Sequence, residues 1–250
     1  MVKIAAARLL SPTAINTYLS CPRKYYLRYI KKLASRPSIH LIRGNVVHKV
    51  IARFSREWHR PEGDATSLEI TMALLQLFEE EWDRATPGLE SLGLPAEELQ
   101  DYRDESQLMV INFGFWLERY DISPPNRVEA RLSSQRLRLM GIIDAEYGIG
   151  GETILVDFKT SKRADITPEV ERQAALYALL YEDLYGHPPE DVWIHFLKYE
   201  DDPLPVGVDK ELLQYGRDLV ESIHQKTIST LEKDYPCTCG GYCHRDFVMR

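Results

Sequence analysis

Two aspartates and a lysine carry the first chemistry in this sequence. Asp157 and Lys159 flank Phe158 in a run, Thr153 to Thr160, that reads as a strand, and strand alternation projects both side chains from one face. Asp144 closes the run Gly141-Ile-Ile-Asp144 on what reads as the preceding strand. If the two strands pair as a meander, Asp144 comes to lie beside Asp157. Two carboxylates crowded into a low dielectric repel one another, and a divalent cation with hard oxygen ligands relieves that repulsion. The adjacent lysine can neutralise developing charge or orient a water. These are the parts that metal-assisted phosphodiester hydrolysis requires. Taken alone, an Asp-x-Lys pair serves equally well as a structural ion pair at a strand end.

Further residues fall at spacings that could support such a site. Gly44 and His48 are one helical turn apart and share a face, with Gly44 leaving room for close approach. Gln173 and Tyr177 are likewise one turn apart on a helix that follows the Asp-x-Lys strand, and could reach a metal or a phosphate from one side. The chain's four cysteines are divided between its ends, Cys21 near the start and Cys237-x-Cys239-x3-Cys243 near the finish. They are too few for a disulfide scaffold, and four thiolates suit an iron–sulfur cluster or a tetrahedral zinc, with His244 able to replace one of them.

The elements that must position these residues follow from the pattern of the 250 residues. Ser11-Pro12-Thr13 opens a capped helix that stops near Cys21-Pro22, and Arg23 to Lys32 reads as another. Arg43 to His59 is helical, with Val47, Ile51, Phe54 and Trp58 on one face. Leu68 to Tyr120 is helical in pattern, broken at Pro87-Gly88 and Pro95, and reads as an insertion or lid. Three strands follow (Val128 to Leu132, Leu137 to Tyr147, Thr153 to Thr160), then a helix from Pro168 to Tyr185, a strand from Val192 to Lys198 and a helix from Lys210 to Lys233. The expected fold is a single α/β domain over residues 1–250, a mixed sheet flanked by helices. Within it, residues 1–60 form a basic helical segment, 61–125 the insertion, 126–208 the sheet core and 209–250 the last helix and cysteine tail.

Composition narrows the class. A hydrophobic fraction of 44% and a charged fraction of 28% exclude a disordered or fibrous chain. No apolar run approaches the roughly 20 residues of a membrane span, and the start lacks a secretory pattern, so a cytoplasmic protein with no membrane partner is expected. The net charge of −7 conceals a sharp asymmetry: the first 56 residues hold twelve Lys or Arg and no acid. With Tyr18, Tyr25, Tyr26 and Tyr29 interleaved, this block reads as a footprint for a polyanion, in which Arg23, Lys24, Tyr25 and Arg28 would grip a nucleic-acid backbone and stack bases. The alternative is that the block complements the chain's own acidic remainder.

The ordered set Gly44-x3-His48, Gly141-x2-Asp144, Asp157-Phe-Lys-Thr160 and Gln173-x3-Tyr177, with the opening Leu10-Ser-Pro-Thr-Ala-Ile-Asn-Thr-Tyr-Leu-Ser-Cys-Pro-Arg-Lys-Tyr-Tyr-Leu-Arg-Tyr29, resembles the RecB-type branch of the PD-(D/E)xK nuclease superfamily. The resemblance runs from about residue 10 to the C-terminus. It implies a restriction-endonuclease-like fold and a Mg²⁺- or Mn²⁺-dependent deoxyribonuclease. His48, Asp144 and Asp157 would ligate the metal with help from the Phe158 carbonyl. Lys159 would be the catalytic lysine, Gln173 and Tyr177 would place lysine and DNA, and Glu129 would be an outer acid. The cysteine arrangement resembles the iron–sulfur nucleases of this branch, among them the CRISPR-associated exonucleases of spacer acquisition. There a cluster pins the chain ends together, and the resemblance implies one here on Cys21, Cys237, Cys239 and Cys243, 4Fe-4S in preference to 2Fe-2S or zinc. The usual C-x2-C-x5-C spacing is not kept here. The expected partners are single-stranded DNA or DNA ends, and CRISPR adaptation proteins. A stand-alone repair nuclease and a non-catalytic iron–sulfur DNA-binding subunit are the alternatives.

Overall fold

The computed structural model describes residues 8–57, 67–120 and 122–248. Trp58 and His59, expected at the end of a helix, lie outside them. Ser11 caps the first helix, α1 (Pro12–Ser20), by accepting from the Ala14 N–H at 3.1 Å, with Pro12 in the first turn where its missing N–H costs nothing. The next helical stretch is α2 (Pro22–Tyr25) running into a π-helical turn, Tyr26–Ile30. Then come α3 (Ile39–Glu57), α4 (Ser67–Glu90) and α5 (Ala96–Arg119). The helical section breaks after Glu90 and not at Pro87: a proline in the final turn removes a single backbone bond, and the reversal falls at Gly93, whose φ of +64° is left-handed.

Five strands form one sheet in sequence order: β1 (Arg127–Ser134), β2 (Leu139–Ile149), β3 (Glu152–Lys159), β4 (Asp191–Phe196) and β5 (Leu204–Gly207). β1, β2 and β3 are an antiparallel meander, β4 lies parallel to β3, and β5 returns antiparallel. The crossover from β3 to β4 is α6 (Pro168–Tyr185), capped by Thr167. β5 escapes a reading by pattern because Pro203 and Pro205 resemble a turn; an edge strand tolerates them, and Pro205 pairs with Trp193. The last helix, α7 (Lys210–Lys226), ends a full turn or more earlier than its pattern suggests, where Thr227 turns its hydroxyl onto the Ile223 carbonyl at 2.7 Å.

Two apolar layers cover the sheet. On one face α3, α4 and α5 bury Val47, Phe54, Leu74, Phe78, Met109, Phe113 and Trp116 against Tyr147, Val156 and Phe158. The helical section is therefore a layer of the core and not a lid. On the other face α1, α6 and α7 pack Ile15, Leu176, Leu179, Leu180 and Ile223 against Leu139, Ile143 and Leu155. Side chains of β3 divide accordingly: Val156 and Phe158 join the first layer, and Leu155, Asp157 and Lys159 face α6. Burying roughly 25 cal/mol per Å² of apolar surface on each face makes that parity costly to slip. Among the described residues, no helix is long and apolar enough to cross a membrane.

Candidate active site and cysteine site

The β2–β3 register runs from Ile149↔Glu152 to Ala145↔Val156, so Asp144 and Asp157 stand one position beyond its last pair. The meander thus brings the two aspartates together. Asp144 Oδ2 accepts the Phe158 N–H at 2.9 Å, and its Oδ1 lies 3.2 Å from His48 Nδ1. His48 reaches across from α3 on the other layer. Opposite Asp144 the β1 ladder skips Glu129, whose φ of +47° is left-handed. Ile143 and Ala145, of one parity, pack into different layers on either side of this point.

From the α6 side, Gln173 locks the lysine. Its Oε1 accepts from Lys159 Nζ at 2.7 Å, while its Nε2 lies 2.9 Å from Asp157 Oδ1 and 2.8 Å from the Tyr177 hydroxyl. Because both amide protons point at acceptors, the orientation of the amide is determined by its surroundings. Asp157 Oδ2 sits 2.6 Å from the Lys159 ammonium, an ionic contact outside hydrogen-bond directionality, and has no other donor. Gly141 permits the approach: a Cβ there would come within 3.0 Å of the Tyr177 ring and 3.1 Å of Leu180. Gly44 plays a different part from the one expected, since the space it leaves faces Thr160 at 3.3 Å and not His48.

Burial pushes the Asp157 carboxyl up and Lys159 pulls it back, while the Asp144 charge adds to the rise. For His48 burial opposes the charged ring, but Asp144 and, behind it, Asp157 prevail and raise its pKa. Burial and the same two aspartates lift Tyr177 well above an ordinary phenol, which keeps its hydroxyl protonated. A cleft of about 610 Å³ opens onto this group, lined by His40, Arg43, His48, Asp144, Asp157, Phe158, Lys159, Gln173 and Tyr177 among others. Two carboxylates, an imidazole and a backbone segment converging on it are a donor set of the kind that suits a divalent cation. Asp157 Oδ2, buried without a hydrogen-bond donor, is the oxygen a cation would satisfy.

The pattern gave no signal for Arg43, Glu105 and Lys198. Arg43, 2% exposed, donates to Glu105 at 2.7 Å and to the Thr160 carbonyl at 3.0 Å, and Lys198 approaches Glu105 at 3.1 Å. Both cations hold the Glu105 carboxyl down against the upward effect of its burial. Arg43 thus ties α3 directly to the backbone just beyond Lys159, and Glu105 on α5 bridges Arg43 to Lys198. No spacing rule joins residues 43, 105 and 198.

Other expectations are corrected. Glu129 is not in the cleft; it pairs with Arg56 at 2.6 Å on the surface. Tyr25, 1% exposed, packs with Tyr18, Tyr29 and Tyr235 and has no ring face left for a base. Arg23 is engaged with Glu232 and the Tyr235 carbonyl, and Lys24 with Asp246. Arg43, Arg53 and Arg56 pair with Glu105, Glu80, Glu81 and Glu129. Much of the basic block thus complements the chain's own acids. Arg28 stays exposed, beside exposed Lys31 and Lys32.

The chain ends meet at a second centre. Arg36 N–H donates to the Asp246 carbonyl at 2.8 Å, Val248 N–H to that of Ala34 at 2.9 Å, and Leu27 and Phe247 bury a small core around Cys21 and Cys243. There the sulfurs of Cys21, Cys237, Cys239 and Cys243 all lie within 4.8 Å of one another. His244 is not in the group. Burial works against a charged Cys21, yet N–H groups of Thr238 and Lys24 and the side chains of Cys239 and Thr238 bring it down to about 6. N–H groups of Gly241 and Cys239 lower Cys237, whereas burial and the neighbouring cysteines raise Cys243.

No curated protein matches the chain. Among solved structures, a protein from Eubacterium rectale named as a candidate exonuclease aligns over 98% of this chain and 90% of its own, with a TM-score of 0.57 at 13% identity. A second, SSO0001, aligns over 76% of this chain and 89% of its own at 12% identity, with a TM-score of 0.30. The first shows a shared fold, and the second carries no argument. The PD-(D/E)XK nuclease superfamily model matches residues 9–246, a span that contains the histidine, both aspartates, the lysine and all four cysteines. With that match laid over an acid–lysine pair on a β-meander, the chain belongs to the PD-(D/E)XK nuclease superfamily.

Proposed function

We propose that the protein is a Mg²⁺- or Mn²⁺-dependent deoxyribonuclease that hydrolyses phosphodiester bonds at the ends of single-stranded DNA. The observation that carries this reading is the convergence of His48, Asp144, Asp157 and Lys159, from one helix and two strands, on a single cleft. His48, Asp144, Asp157 and the Phe158 carbonyl would hold the ion. When bound, such an ion polarises a phosphoryl oxygen and yields a nucleophilic water near neutral pH.

The rest falls to the chain's own groups. Lys159 presents a fixed positive charge to the phosphate, held between Gln173 and Asp157 so that little reorganisation is needed as charge develops. Gln173 keeps the ammonium in place; Lys159, which only donates, and Asp157, which only accepts, keep the amide from turning, and the Tyr177 oxygen accepts from the same amide nitrogen. Arg43 anchors the backbone beyond the lysine at Thr160. Arg28, Lys31 and Lys32 would meet the DNA backbone, a contact that is sequence-independent and salt-sensitive.

The test uses single strands labelled at either the 5′ or the 3′ end, incubated with Mn²⁺ or with EDTA. Short products released from one end, only with Mn²⁺, are expected. Asp157→Ala and Lys159→Ala should stop cleavage while DNA binding persists. Cleavage in EDTA, or cleavage surviving both substitutions, would refute the assignment.

A further inference from the structure

We propose that Cys21, Cys237, Cys239 and Cys243 bind one Zn²⁺ as a mononuclear tetrathiolate site, in place of the iron–sulfur cluster that the family resemblance implies. The inference rests on the spacing of the sulfurs and on the short turn that carries three of them. It is independent of the nuclease reading.

A zinc ion bonded tetrahedrally to thiolates at about 2.3 Å spaces its sulfurs about 3.8 Å apart. Cys237 Sγ lies 3.6 Å from Cys239 Sγ and 3.7 Å from Cys243 Sγ, and all four sulfurs fall within 4.8 Å of one another. Four thiolates around one ion fill that space. A four-iron cluster bonds each thiolate to a different iron at the corners of a body that already occupies the centre. Its sulfurs must stand farther apart than sulfurs sharing one ion, and the cysteines would have to open outward to admit it.

The backbone makes that opening difficult. Between Cys239 and Cys243 the chain reverses through Gly240 and Gly241, at φ +62° and +87°, a left-handed pair that other residues adopt only with strain. The turn is closed by Tyr242 N–H on the Cys239 carbonyl at 3.3 Å and His244 N–H on that of Gly241 at 3.2 Å. The same turn aims donors at sulfur: Gly241 N–H at Cys237 Sγ, 3.2 Å, and Cys243 N–H at Cys239 Sγ, 3.1 Å. Such bonds suit thiolates gathered on one small cation, because they spread the charge that a divalent ion leaves uncompensated on four sulfurs. Cys21 enters from the helix junction between α1 and α2, so the ion would join the first and last segments of the described chain. The departure from C-x2-C-x5-C spacing fits this reading, since Cys237-x-Cys239-x3-Cys243 is a tighter loop than the cluster-binding pattern.

The experiment is elemental and sulfide analysis of the full chain, expressed with iron and zinc both supplied and purified anaerobically. A colourless protein with one zinc per chain and no acid-labile sulfide is expected. Cys239→Ser should lower zinc content severalfold. Exchange into Co²⁺ should give the intense visible bands of a tetrahedral thiolate site, and incubation of the zinc form with ferrous iron and sulfide should leave the zinc in place. Brown protein carrying iron and labile sulfide, a single bound iron, or a metal-free protein with four thiols that titrate freely would each overturn the proposal. So would a Co²⁺ spectrum of octahedral type. Because the wild-type metal content is itself decisive, a variant that fails to fold does not blunt the test.

Discussion

The acid–lysine cleft and the cysteine site both gather side chains far apart in the chain, but by opposite means. The cleft is built on α3, β2, β3 and α6, elements held by two buried layers, and its polar atoms, Asp157 Oδ2 apart, are hydrogen-bonded through Gln173, Lys159 and the Phe158 N–H. The cysteine site stands on turns near both ends of the described chain, where only Leu27 and Phe247 join the buried Cys21 and Cys243 in a small core. A site resting on regular structure is formed before its metal arrives. A site resting on turns has little packing behind it, so any metal it takes up would add its binding energy to folding.

Substitutions can break that contrast. The largest effect is expected from Lys159→Ala, which should lower Mn²⁺-dependent cleavage by on the order of 10³-fold or more, with a modest fall in melting temperature because the buried Asp157 carboxylate loses its cation, the chain remaining folded. Loss of the folded state itself, by calorimetry, would show that the cleft is not preformed. Cys21→Ala should do the reverse. It removes one of the four gathered sulfurs and should lower the unfolding free energy measured by denaturant titration, with the activity per folded molecule kept.

Stability should also depend on pH through His195 on β4, which burial holds down to about 4 against an ordinary 6.5, Asp202 opposing weakly. The unfolded chain then binds the extra proton between these values, so unfolding free energy falls as the pH drops through that window, by about 3 kcal/mol. A His195→Phe variant should flatten the melting temperature between pH 6.5 and 4; an unchanged slope would remove His195 as its cause. Gly141→Ala sets a methyl against the Tyr177 ring and should cost about 1–3 kcal/mol, along with a loss of activity, because the displaced ring is the partner of Gln173. Smallest of all, Arg28→Glu should weaken DNA binding about severalfold and reduce the slope of affinity against salt by about one, with cleavage at saturating DNA unaltered.

How far the sequence is legible differs between the same two regions. Asp157, Lys159, Gln173 and Tyr177 could be placed because strand alternation and helical turns are local rules; at Asp144 the alternation of β2 is interrupted opposite Glu129, and only its pairing beside β3 brings it to Asp157. His48 needed the order of motifs, since a lone histidine on a helix points nowhere in particular. Arg43, Glu105 and Lys198 were out of reach, because their meeting depends on α5 packing over the sheet. The charge block misled in part. Counting charges cannot tell an exposed basic face from one whose partners, Glu105, Glu80, Glu81, Glu129, Glu232 and Asp246, return to it from elsewhere in the fold. Tyr25 misled for the same reason: aromatic residues between charges look like a stacking platform whether they face solvent or, as here, Tyr235.

The most direct test of the central claim is a double-mutant comparison of Asp144→Asn, Asp157→Asn and the two combined, assayed on end-labelled single-stranded DNA with Mn²⁺. If the two carboxylates hold one ion, each single change should remove nearly all cleavage and the double variant should be no worse than either. Independent, multiplying losses, or a single variant that still cuts at a substantial fraction of the wild-type rate, would contradict it.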